Sequence, residues 1–167
     1  MKQLTLRLKE FIEENIDLIE ENRWDEVYEN ASFDLDSTDS TGMFTEAMLD
    51  IGLDPIAEQE LDWIPDYYLS GTSITEFTIP NTIHSLGEGC FSYSSLKTIT
   101  IPASVETIRD YVFYECANLE EVIVLGDTRD IGSKVFYGCP ENLVVKCKER
   151  SPFETYCHQM NIHVEYI

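Results

Sequence analysis

Side chains that commonly carry chemistry are few in this chain, and their spacing argues against most uses of them. There are five cysteines (Cys90, Cys116, Cys139, Cys147 and Cys157) and three histidines (His84, His158 and His163). Nucleophilic catalysis needs a nucleophile and a base converging within hydrogen-bond reach. Cys157 and His158 are neighbours in a segment that reads as a helix, so their side chains diverge. Zinc sites draw on closely spaced Cys or His pairs, and Cys139 and Cys147 have neither that spacing nor histidine pairs nearby. Asp34, Asp36 and Asp39 suggest calcium until they are counted. From Asp34, the fifth position is Thr38, the sixth Asp39 and the twelfth Thr45, where an EF-hand loop needs an acid, a glycine and a glutamate. Glycine-rich phosphate loops, metalloprotease helices and nucleophile elbows are missing as well. The expectation is a protein that is not an enzyme, with no catalytic residues, cofactor or metal.

What the chain has in excess is negative charge: 32 acidic residues against 11 basic, a net −21. Phosphate contacts are made mainly by Lys and Arg, so nucleic acid is excluded as a direct partner, and a protein with a basic surface is the electrostatic complement. The charge is uneven. Residues 1–63 hold 18 acids and 4 bases, a net −14, and the longer remainder holds 14 and 7, a net −7. No apolar run reaches the length of a membrane span and the N-terminus lacks an apolar secretory core, so a cytoplasmic location is expected. An odd number of cysteines, two of them in one column of the repeat described next, suits buried thiols in a reducing compartment better than a disulfide framework.

The elements that would have to position any binding residue are set by a repeat. Ile74-Thr-Glu-Phe77-Thr-Ile79-Pro80 returns as Leu96-Lys-Thr-Ile99-Thr-Ile101-Pro102 and as Leu119-Glu-Glu-Val122-Ile-Val124-Leu125, at offsets of 22 and 23 residues. Ile83 keeps step with Val105, Leu86 with Ile108 and Ile131, Phe91 with Phe113 and Phe136, and Ser94 with Cys116 and Cys139. Such a period predicts a solenoid in which each coil covers its neighbour's apolar side. In Phe77-Thr78-Ile79, Ile99-Thr100-Ile101 and Val122-Ile123-Val124 the outer residues share a parity, so they point inward from a strand. Thr78, Thr100 and Ile123 then form an outward ladder, with Glu76, Thr98 and Glu121 beside them. Ile64-Pro65, Leu69 and Ile74 make a degenerate half-repeat.

The string Ile-Pro-x-x-Val/Ile-x-x-Ile/Leu, then Phe, then a small residue or Cys, then Leu, resembles the BspA-type leucine-rich repeat. Pro80 to Leu86 and Pro102 to Ile108 match it, and Leu119 to Cys139 matches with departures: Leu125 replaces the proline and Thr128 the aliphatic residue, so the third turn is expected to be irregular. The resemblance implies an α+β chain: a short solenoid of about three repeats plus the half-repeat over residues 64–167, ending in a closing helix and strand, behind a helical cap over residues 1–63. It also implies a protein-binding surface, since the fold alone assigns no more specific role.

Around this core, residues 1–21 read as one amphipathic helix with Leu4, Leu8, Phe11, Ile12, Ile16 and Ile19 on a stripe, and Trp24 to Ala31 as a second. Both stripes are expected to pack on each other and on the first repeat. Phe33 to Gly42 reads as a loop, and a third helix is expected from Ser40 or Thr41 to Asp50 with Met43, Phe44, Ala47, Met48 and Ile51 buried. Asp54-Pro55 starts a short fourth helix to Leu61. Leu143 to Cys147 reads as a strand, Ser151-Pro152 starts a helix to Met160, and Ile162 to Tyr166 closes as a strand. Lys146, Lys148 and Arg150 read as local pairing partners.

Two interaction surfaces follow. One is the strand face: Glu76, Thr78, Thr98, Thr100, Glu121 and Ile123. The other is the acidic helical part: Glu10, Glu13, Glu14, Asp17, Glu20, Glu21, Asp34, Asp36 and Asp39. The string Phe11-Ile-Glu-Glu-Asn-Ile-Asp-Leu-Ile-Glu-Glu-Asn is also similar to openings of small phage and prophage proteins, anti-CRISPR proteins among them. That likeness implies an acidic inhibitor of a basic, nucleic-acid-handling protein such as an RNA-guided nuclease, in the cytoplasm of a host cell. The alternative is a binding module whose strand face recognises a protein without nucleic-acid mimicry. An outward strand ladder also admits pairing of two copies as a homodimer.

Overall fold

Alternating inward β-branched residues and outward Thr or Glu build the strands of a solenoid, and the phenylalanine segments turn the chain from one coil to the next. The computed structural model describes residues 2–21, 23, 26–27, 30, 38–50, 52–58 and 60–167. One parallel sheet contains β1 (Trp63–Ile64), β2 (Ser85–Leu86), β4 (Thr107–Ile108) and β6 (Asp130–Ile131) in that order. The second contains β3 (Thr98–Ile101), β5 (Glu121–Val124), β7 (Val144–Cys147) and β8 (His163–Tyr166). Register follows the repeat: Ile99 lies opposite Val122, which lies opposite Val145. The turn segments between the sheets are joined coil to coil as well, through Phe91 N–H to Val112 C=O at 3.0 Å and Phe113 N–H to Val135 C=O at 2.9 Å.

The phenylalanine column is continuous. Phe91 and Phe113 stack with centroids 5.5 Å apart and planes 8° apart, and Phe113 and Phe136 at 5.4 Å and 3°, within the range of favourable offset stacking. Tyr68 and Phe77 extend it at one end, and Phe153 and Tyr156 of α5 (Pro152–Gln159) close it at the other. Ser151 caps α5 by accepting from Glu154 N–H at 3.1 Å, with Pro152 in the first turn, as Ser-Pro predicts.

Beside this column the small residues satisfy carbonyls of the preceding coil. The Cys116 thiol donates to Phe91 C=O at 3.0 Å and the Cys139 thiol to Phe113 C=O at 3.1 Å. Thr128, where the repeat has an aliphatic residue, is buried and donates to Val105 C=O at 2.8 Å. All five cysteines are free thiols. Burial pushes the Cys139 thiol from its ordinary 9.0 up to about 12 and Cys157 likewise to about 12, and raises Cys90 and Cys116 too.

The expected irregularity falls on a different turn. β5 is a regular strand paired on both sides, whereas residues 74–80, expected to hold the first strand, form none. Proline explains both. Leu125 N–H closes its rung by donating to Ile101 C=O at 3.0 Å. The matching position one coil earlier is Pro102, which has no N–H to offer Ile79 C=O. The last backbone bond there is Lys97 N–H to Thr75 C=O at 3.1 Å, and beyond it the two chains separate. Ile79 stays buried and Thr78 exposed, so the alternation survives without the ladder.

The helices make a core of their own. α1 (Lys2–Glu14) packs on α3 (Thr38–Asp50), with Leu8, Phe11, Ile12, Ile19, Phe44, Ala47 and Met48 in one buried cluster separate from that of the solenoid. The single first helix expected over residues 1–21 is instead two, α1 and α2 (Ile16–Glu20). Between them Asn15 is buried and its amide donates to Phe11 C=O at 2.8 Å, competing with the helical ladder. The expected 24–31 helix lies mostly outside the described residues, although Val27 is buried. Helix α3 begins at Thr38, ahead of the expected Ser40 or Thr41; Ile51 lies outside the described residues.

Among the described residues, α3 and α4 (Pro55–Glu58) reach the first coil. Glu46 accepts from Ser73 N–H at 3.2 Å and from its hydroxyl, and Asp54 accepts from Tyr68 Oη at 2.8 Å and caps α4 through Ile56 N–H at 3.0 Å. Ile56 belongs to the solenoid core. Gly42 lies so close to Ser70 that a Cβ there would stand 2.0 Å from its carbonyl oxygen.

Three outcomes follow. Phe113→Ala, at a fully buried site in mid-column, lowers stability by about 3–5 kcal/mol in denaturant titration. Gly42→Ala forces the helices off the first coil, read as faster amide hydrogen exchange over residues 42–48 with the 98–147 strands still protected. The thiols are neutral in the fold but ionise near 9.0 once unfolded. Their contribution is therefore complete below pH 9 and lost as pH rises toward about 12, and Cys139→Ala makes that fall in the denaturation midpoint shallower.

Candidate functional site

All six residues expected on the strand face line one groove. Glu76, Thr78, Thr98, Thr100, Glu121 and Ile123 surround an open space of about 480 Å³, together with Phe77, Ile79, Pro80 and the half-exposed Leu125. The groove is the gap left where residues 76–80 part from β3. Along β3, Lys97 and Ile101 accept through their carbonyls from Glu121 N–H and Leu125 N–H. Backbone groups alternate sides along a strand, so those of Thr98 and Thr100 face the gap. Neither residue makes a backbone hydrogen bond to residues 76–80 among the described residues. The groove thus offers open donors and acceptors, three threonine hydroxyl groups and an apolar rim.

The face extends beyond the residues expected. Thr98 is in register with Glu121, Val144 and His163, and Thr100 with Ile123, Lys146 and Glu165. Lys146 Nζ lies 2.5 Å from Glu121 and 3.7 Å from Glu165, and its hydrogen bond to Glu121 raises its pKa. Glu121 is therefore an internally paired carboxylate rather than a free one, and Glu76 supplies the groove's unpaired charge. Lys148 pairs with Asp127 at 3.3 Å, so two of the three clustered bases are local partners, as expected. Arg150 has no side-chain ion pair among the described residues.

The acidic helical set is only partly brought together. Glu10, Glu13, Glu14 and Asp17 are exposed along α1 and α2, and Glu21 is paired with Arg23 at 2.9 Å. Asp34 and Asp36 lie outside the described residues, as do the side chains of Glu20 and Asp39. Cys157 is buried while His158 is exposed, so that pair does diverge. Among the described residues no group of Cys, His, Asp and Glu side chains is placed to hold a metal ion, and no helix is long and apolar enough to cross a membrane.

A second face went unread in the sequence. The turn segments carry Tyr93, Tyr111, Tyr114 and Tyr137 in mutual ring contact. The available signal was Tyr114 with Tyr137 at the repeat offset, one residue after the phenylalanine column.

Residues 56–162 match the family model described as BspA type Leucine rich repeat region (6 copies). No curated protein and no solved structure matches the chain. With most of its length in that match and the stacked coils that the repeat implies, the chain belongs to the BspA type leucine-rich repeat family.

Proposed function

We propose that this chain is a non-enzymatic interaction protein whose strand face holds an extended segment of another protein. The observation that carries the reading is the opening between residues 76–80 and β3, where six outward residues and the unpaired backbone groups of Thr98 and Thr100 face one groove. An extended segment satisfies such backbone groups while alternate side chains supply specificity. The stacked coils that frame the groove are rigid, which lowers the cost of binding.

A finer version is favoured by a separate observation. The first 63 residues carry a net −14, and Glu10, Glu13, Glu14 and Asp17 are exposed there. In this version the acidic helices occupy a basic groove that otherwise holds nucleic acid, as in an RNA-guided nuclease, and the chain acts as an inhibitor of anti-CRISPR type. Its partner is a protein with a basic surface, and it makes no direct contact with nucleic acid or membrane.

The two versions part on mutation and salt. With a partner captured from host lysate, the strand-face reading expects Thr100→Arg or Ile123→Arg to weaken binding by about ten-fold or more, as loss of a central contact does. Glu13→Gln, Glu14→Gln and Asp17→Asn combined then change it by less than about two-fold, the exposed-charge scale. The inhibitor version expects the reverse, with competition by duplex and steep loss of binding as salt rises. Binding that survives both sets of substitutions overturns both versions.

A further inference from the structure

The turn side of the solenoid carries a second docking surface, distinct from the groove. Each coil passes through the left-handed backbone region twice, four residues apart. One column is Tyr67, Gly89, Tyr111 and Lys134, with φ of 58°, 56°, 60° and 52°, and the other is Gly71, Tyr93, Glu115 and Gly138, with φ of 70°, 57°, 54° and 77°. Glycine is the residue that takes this conformation without penalty. The chain instead places large side chains there and directs them outward. Tyr93 is 59% exposed, so it is not retained for the core. Backbone strain carried at a surface position motivates a search for what the side chain does there.

Two of the side chains so displayed, Tyr93 and Tyr111, join Tyr114 and Tyr137, which follow the phenylalanine column by one residue, in one aromatic patch. Tyr114 stacks on Tyr137 at 5.4 Å with planes 11° apart, and Tyr93 and Tyr111 each meet Tyr114 edge-on at 5.5 Å. The chain's own Lys134 ammonium lies 5.6 Å from the Tyr111 centroid and 5.8 Å from that of Tyr137, so these rings already receive a cation within the molecule. Tyr93 has none over it among the described residues. The Glu115 carboxylate lies where a Cβ on Gly138 would be, next in sequence to Tyr114, and supplies a negative charge beside the rings. Rings that accept cations, with a carboxylate at their border, suit the planar guanidinium, which stacks on aromatic faces and pairs with carboxylates at once. A nucleobase would also stack, but its phosphates are repelled by a chain of net −21.

We infer that Tyr93, Tyr114 and Tyr137, with Glu115, form a docking surface for an arginine-bearing segment of a protein partner. The inference is independent of the strand-face reading, and its test does not use that groove. The probe is a ten-residue peptide alternating arginine and glycine, compared with its lysine and citrulline counterparts, followed by ring signals of labelled tyrosines and by fluorescence anisotropy. The arginine peptide should shift the signals of Tyr93, Tyr114 and Tyr137 and bind more tightly than the lysine peptide, with the preference surviving added salt. Tyr93→Gly and Tyr137→Ser each introduce a residue that the same column holds in another coil. Each should weaken arginine-peptide binding by about two- to five-fold, the scale of an exposed cation–π contact, while the thermal midpoint is unchanged or rises for Tyr93→Gly. Unshifted rings with equal arginine and lysine binding would reduce the effect to bulk charge and overturn the inference. Citrulline binding as tight as arginine, or variants that bind as before, would overturn it too. So would ring shifts in the free protein that depend on its own concentration, which would assign the patch to a second copy.

Discussion

Every part of this molecule depends on one condition: a coil must find both its backbone partners and its apolar cover in the next coil. No single coil of 22 or 23 residues can enclose Ile99, Ile101, Val105, Ile108 and Phe113 alone, yet all are buried in the stack. The condition is met on three sides, by two parallel sheets and by the turn-segment hydrogen bonds. The phenylalanines fill the space between them with nearly coplanar rings, and the thiols of Cys116 and Cys139 give the Phe91 and Phe113 carbonyls a second donor beside the turn's own N–H of Ser94 and Cys116. At the ends, where no further coil follows, α5 supplies Phe153 and Tyr156 in place of the next ring, and Ile56 of α4 enters the first layer from the other side.

The same condition explains where the stack opens. A proline at the end of a strand costs nothing when the facing group can reach solvent, but Pro102 leaves the rung facing Ile79 without a donor. The chain past Thr75 is then held in place by the burial of Ile79 and the packing of Phe77 on Tyr68 and Phe91. One coil later Leu125 restores the donor and the ladder resumes. The departure from the repeat consensus therefore makes the third coil the more regular one, and the consensus residue opens the groove.

Much of this architecture was legible before any coordinates. The columns of Phe91, Phe113 and Phe136, the inward parity of Ile99 and Ile101, and the Ser151-Pro152 helix start are local or periodic signals, and each appears in the fold as read. What was missed depends on relations that a single repeat does not contain. The lost ladder at residues 76–79 follows from which amide faces which carbonyl one coil away. The break falls at Asn15, whose side-chain amide shares the Phe11 carbonyl with its own backbone N–H, a local bond that the hydrophobic stripe does not announce. Left-handed columns are usually announced by glycine, and here Tyr93, Tyr111, Glu115 and Lys134 hide them. The groove residues converged because register does depend on parity, but the pairing of Glu121 by Lys146 needed the next strand in place.

The distribution of charge bears on how the surfaces divide the work. On the strand face Lys146 stands between Glu121 and Glu165 and offsets part of the acid there, with Glu76 outside that pairing. Two-thirds of the net charge, −14 of −21, falls in residues 1–63, whose described helices have a core separate from that of the repeats. Among the described residues the helical part pairs only Lys9 with Asp50 at 2.6 Å and Arg23 with Glu21 and Glu26. Glu10, Glu13, Glu14 and Asp17 remain exposed without an ion-pair partner within one short stretch, where like charges repel and weaken the helix that carries them. A layer that only covered the end of the stack would require an apolar inner side and any soluble outer one. Exposed carboxylates along α1 and α2 add self-repulsion without adding to that cover, so the helices hold them at a cost to their own stability.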